Sequence, residues 1–127
     1  MDPNLLNGTT LAYIGDGYYE HHIRMYLVRK GETKVNNLHR MATKFTSGEA
    51  QANIIRHFIE KDVLTDQELS IYKRGRNQSS PGRKNISQAI YHDSTGFEAL
   101  IGFLSMKDES RAKEVIDLSI EYIEGML

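Results

Sequence analysis

The chain has 127 residues, 16 Lys and Arg against 17 Asp and Glu, and no cysteine. That length suits one hydrophobic core and one domain over 1–127, and the 39% hydrophobic content is above that of disordered chains. The absent cysteines exclude disulfides, thiolate metal sites and cysteine nucleophiles. A net charge of −1 means that any polyanion must be held by a local basic patch. No apolar run nears the roughly 20 residues that span a bilayer. The start, Met1-Asp2-Pro3-Asn4, lacks the basic and apolar parts of a signal peptide, so a cytoplasmic protein without membrane contact is expected.

The apolar spacing predicts an all-α chain. Thr9 or Thr10 is placed to cap a first helix running to about Arg29 and stopped by Gly31. A short second helix starts at Asn36 or Asn37, and Ser47 caps a third carrying Ile54, Ile55 and Phe58. Thr65-Asp66-Gln67-Glu68 is a capping-box pattern that opens a fourth. Residues 75–87, rich in Gly, Ser, Asn and basic side chains, predict the longest irregular stretch, with Pro81-Gly82 as a turn. Helicity is expected again near Ser94 or Thr95, and Asp108 caps the last helix.

Three segments carry chemistry. Gly15-Asp16-Gly17 places two glycines inside the first helix, at about 1 kcal/mol each relative to Ala. Such a cost is accepted where another backbone or a ligand comes close. Glu20 lies one turn from Asp16, so the two acids share a face and suit a hard cation such as Mg²⁺. Two solvated acids, with Glu20 paired to Arg24, are the competing reading. Glu98 stands in an apolar helix beside Ala99 and one turn from Gly102, where a second helix can approach. A carboxylate there needs a partner or a metal unless it lies at the helix edge. Lys73, Arg74, Arg76, Arg83 and Lys84 fall within twelve residues that contain no acid, among small polar residues able to meet phosphate oxygens. A solvated charge run is the alternative. His92-Asp93 is similar to the metal-binding pair of helical phosphohydrolases, but the flanks of His39 and His57 give it no support.

In order along the chain, Leu11-Ala12-Tyr13-Ile14-Gly15-Asp16, Asn37-Leu38-His39-Arg40 with Ser47 through Ala52, Tyr72-Lys73-Arg74-Gly75-Arg76-Asn77, and Ser94 through Gly102 resemble the conserved blocks of the Mini-III branch of the ribonuclease III family. The likeness covers about residues 5–105. It implies the all-α ribonuclease III endonuclease-domain fold as a homodimer, with no double-stranded-RNA-binding domain following. It implies cleavage of double-stranded RNA to 5′-phosphate products, with Asp16 and Glu98 holding Mg²⁺ (Mn²⁺ able to substitute). Lys73, Arg74, Arg76, Arg83, Lys84 and His39 then face RNA. The implied biological substrate is the 23S, large-subunit ribosomal RNA precursor, with a ribosomal protein as a conceivable helper. Larger ribonuclease III enzymes carry acids where this chain has Ala12 and Thr95, a gap that Mini-III members share. Glu20, Asp93 or Thr95 are the candidates for an auxiliary role. A catalytically silent RNA-binding module, the His-Asp phosphohydrolase and a helical protein-interaction domain are the alternatives. The last explains neither Asp16 between its glycines nor the basic segment.

Overall fold

The computed structural model describes residues 1–81 and 87–127, and the described residues contain helices and no strand. A 3₁₀ turn (Pro3–Leu5) precedes α1 (Gly8–Arg29), α2 (Val35–Thr46), α3 (Gly48–Glu60), α4 (Asp66–Gln78), α5 (Gln88–Lys107) and α6 (Glu109–Met126). Helix α5 is central, packed by α1, α3, α4 and α6. Phe97, Ala99, Leu100, Ile101, Phe103 and Leu104 are all buried, so α5 is apolar around most of its circumference, as a helix enclosed by others must be.

Local chemistry sets most of the helix ends. Asn7 caps α1 by accepting from the Thr10 amide at 2.8 Å and also from the Thr9 hydroxyl. Thr9 and Thr10 themselves therefore sit inside the first turn. Gly31 ends α1 at φ +112°, as expected. The capping box at α4 is present in full: the Thr65 amide donates to Glu68 Oε1 at 2.9 Å and the Glu68 amide to Thr65 Oγ1 at 3.1 Å.

Two expectations are corrected around the α4–α5 connection. Helix α4 continues through Gly75 to Gln78, and α5 begins at Gln88 with Ser87 accepting from the Ile90 amide. Gly75 does not break the helix, because it lies against α5: a Cβ there would sit 2.4 Å from that of Ala99. Ser94 and Thr95 are not caps. Both hydroxyls donate back to the Tyr91 carbonyl from inside α5, at 2.8 and 3.0 Å.

Helices α1 and α5 cross in backbone contact. A Cβ on Gly102 would stand 1.9 Å from the Leu11 carbonyl oxygen, so only glycine fits there. Tyr19, fully buried, adds a three-way tie. Its ring meets Phe97 edge-on at 5.0 Å, and its hydroxyl donates to the Phe45 carbonyl at 2.8 Å.

Candidate active site

The crossing of α1 and α5 brings Asp16 and Glu98 side by side. Burial pushes the Glu98 carboxyl up to about 9, helped by a hydrogen bond with Asp16, by the Asp16 charge and by Glu20 further off; a bond from the Gln51 amide opposes the rise. Two carboxyls in contact repel when both are ionised, which is part of why Glu98 holds its proton more tightly than an exposed glutamate does. Asp16 and Glu98 thus meet where glycines let α1 and α5 touch. Gly15 is the residue that needed the close approach; around Gly17 there is open space, and its freedom serves no packing contact.

Asp16 and Glu98 line one cleft of about 220 Å³ together with Thr9, Tyr13, Ser79 and Tyr91. Ala12 and Thr95, the two positions read as lacking an acid, line the same cleft. Its wall is therefore rich in hydroxyls and short of carboxylates. Among the described residues no group of three or more His, Asp or Glu side chains is arranged to hold a metal ion. The donor set of Asp16 and Glu98 fits one hard divalent cation that keeps several waters, since all the donors are carboxylate oxygens and a cation between them would offset their repulsion.

The remaining candidates scatter. Glu20 pairs with Arg24 at 3.1 Å and reaches Glu98 only through its field. Asp93 is buried, outside the cleft, and spends both carboxylate oxygens within the fold. Oδ1 accepts from Arg76 Nε at 2.7 Å and from the Tyr72 hydroxyl at 2.8 Å, and Oδ2 accepts from Arg56 Nε at 2.7 Å. Burial alone would raise its pKa, but these three donors outweigh it and hold it below the ordinary value. Asp93 is thus neither an auxiliary acid of the cleft nor free to serve a His-Asp metal pair, and its neighbour His92 meets the Ser79 hydroxyl. Arg74 donates to the Asn4 and Leu6 carbonyls, tying α4 to the N-terminal segment. Lys73 is exposed. His39 is exposed at the edge of a separate groove between α1 and α2, lined by Glu20, Arg24 and Val35. Arg83 and Lys84 lie outside the described residues.

Two residues near these groups escaped the sequence reading. Gln51 looks like any polar position of α3 but is buried against Glu98. Arg56 looks like a surface cation, and its partner Asp93 is far along the chain. Gln51 lies inside the Ser47–Ala52 motif block without a role legible there; nothing local marked Arg56.

Comparison with known proteins places the chain in a family. Residues 9–109 match the Ribonuclease III domain. The chain is 45% identical to the Mini-ribonuclease 3 of Acholeplasma laidlawii, covering 94% of this chain and 95% of that protein. It is also 45% identical to the Mini-ribonuclease 3 of Streptococcus pneumoniae, covering 98% and 99%. A crystal structure of a Fusobacterium nucleatum protein superposes with a TM-score of 0.82 at 27% identity, over 99% of this chain and 98% of that one. The fold and these matches define a helical endoribonuclease, a hydrolase of RNA. The chain belongs to the ribonuclease III family, in the branch whose members are called Mini-ribonuclease 3.

Proposed function

We propose that the protein is a Mg²⁺-dependent endoribonuclease that cuts double-stranded RNA as a homodimer and matures the 23S ribosomal RNA precursor in the cytoplasm. The meeting of Asp16 and Glu98 at the α1–α5 crossing carries this reading. When bound there, Mg²⁺ supplies Lewis-acid polarisation of the scissile phosphate and acidifies water for the attack. Asp16 and Glu98 are the residues that would hold the ion, through their carboxylate oxygens. Gln51 keeps one Glu98 oxygen oriented through its amide. Hydrolysis leaves a 5′-phosphate and a 3′-hydroxyl. Lys73 and Arg76 on α4, His39 on α2, and Arg83 and Lys84 take flanking phosphates. Arg74 contributes through its charge while anchored to Asn4 and Leu6. An A-form duplex is read by shape, so little sequence preference is expected. Exposed Leu5, Tyr13 and Val35 offer apolar surface for a second copy. No described helix is long and apolar enough to cross a membrane.

The lone acid pair, with Ala12 and Thr95 as neutral neighbours, also suits a silent RNA-binding module. One gel separates the two. Long double-stranded RNA is incubated with wild type in Mg²⁺, with wild type in EDTA, and with Asp16→Asn in Mg²⁺. Cutting only in the first lane supports the nuclease; RNA that is bound but uncut in all three leaves the silent module.

A further inference from the structure

Asp93 receives two guanidinium groups where one would neutralise it. Both contacts use Nε, the inner end of each fork, at 2.7 Å. The Asp93 side chain is 7% exposed, whereas those of Arg56 and Arg76 are 46% and 42% exposed. A buried carboxylate that already accepts from the Tyr72 hydroxyl needs one arginine for its second oxygen. The second arginine leaves a net positive doublet, fixed by a buried anchor and half in solvent. Each guanidinium has five N–H donors in a planar fork, so binding Asp93 by Nε leaves the outer amino groups to project beyond it.

The doublet and the acid pair are linked through α3 and α5. Along α5, Asp93 precedes Glu98 by five residues, about 7.5 Å of helix rise and about 140° around its axis. Along α3, Gln51 contacts Glu98 and Arg56 contacts Asp93, so the two antiparallel helices carry both sites as successive rungs. Helix α4 supplies Arg76 three residues before Ser79, which lines the cleft.

We propose that Arg56 and Arg76 form a phosphate-binding subsite for the RNA backbone flanking the cleavage site, with Asp93 as the residue that positions both. It rests on the double-stranded-RNA reading above and adds to it Arg56 and the role of Asp93. A pre-oriented arginine loses less freedom on binding than a flexible one, which favours a tether over two independent surface cations.

The test is the affinity of a short RNA duplex by fluorescence anisotropy over a salt series, with Ca²⁺ present to prevent cutting. Arg56→Gln leaves Asp93 paired to Arg76 and Tyr72, so the fold is retained. It should weaken binding by about fivefold or more, similarly for unrelated duplex sequences, and reduce the magnitude of the salt slope by about 1. Arg56→Lys should keep the slope, because it keeps the charge. Asp93→Asn adds net positive charge, yet it should weaken binding about three- to tenfold, because both guanidiniums lose their anchor. Should Asp93→Asn fail to fold by circular dichroism, Arg76→Gln carries the same prediction as Arg56→Gln. A wild-type slope in Arg56→Gln removes the subsite, and equal or tighter binding by folded Asp93→Asn removes the positioning role. If wild type itself does not bind the duplex, the broader reading fails instead, so the two failures are distinguishable.

Discussion

Gly15 lies so close under Glu98 that a Cβ on the glycine would stand 1.7 Å from the Glu98 carbonyl oxygen. The helix crossing and the acid pair are therefore one feature. The contact that lets α1 touch α5 also carries Asp16, the next residue, to the Glu98 side chain. A larger residue at 15 must push the helices apart, and the distance between the two carboxyls grows with it.

Gly15→Ala should accordingly destabilise the protein by about 3 kcal/mol or more, at or above the usual range for overpacking, because the clash is with backbone. Cleavage should fall with it even at temperatures where the variant stays folded. Gly17→Ala is the control: its Cβ meets open space, and the better helix former should add about 0.5–1 kcal/mol. Urea denaturation of both variants measures this. Equal effects of the two substitutions would contradict the crossing.

Asp16→Asn and Glu98→Gln should each lower cleavage on the order of 10³-fold or more, the worth of several kcal/mol of charge stabilisation at the phosphate. Their effects on stability separate them from a general loss of fold. The Glu98 pKa in the fold is about 9, above its ordinary 4.5, so the folded state holds the proton more tightly than the unfolded chain. The stabilisation is complete below about pH 4.5 and is lost as pH rises toward 9. The Tm without divalent ion should therefore decline between pH 5 and 9. Glu98→Gln should flatten that decline, and Mg²⁺ should raise the wild-type Tm most at the alkaline end. Calorimetry across pH, with and without Mg²⁺, decides it.

The opposite sign is expected at the far side of α4. Glu68 is buried, completes its capping box and accepts from Arg111 Nε at 2.8 Å and Nη2 at 2.9 Å. Burial works to raise its pKa, but the bonds from Arg111 and the Thr65 amide prevail and lower it. This stabilisation is present above the ordinary carboxylate value and disappears as pH falls through the lowered one. Arg111→Met should cost roughly 3 kcal/mol at pH 7, where it strands a buried charge, and less near pH 4, where Glu68 without its arginine takes up a proton. A penalty that stays constant from pH 7 to 4 would show that the Glu68 charge is not what Arg111 stabilises.

The parts of this protein that are legible in its sequence are those whose partners lie within a turn or two. The Thr65–Glu68 box, the stop at Gly31 and the apolar character of α5 depend on neighbours three to seven residues apart, and the side-chain pattern records them. The ordered motif blocks also marked Asp16 and Glu98, though not the distance between them. Gly75, Ser94 and Thr95 misled because their local chemistry suits a break or a cap. In the fold Gly75 makes room for Ala99, and the two hydroxyls return to the Tyr91 carbonyl. Gln51 beside Glu98, and Arg56 across Asp93 from Arg76, were decided by tertiary structure alone. Each links different helices through one or two directed bonds, and a residue's type does not say which distant helix it will face once the core closes.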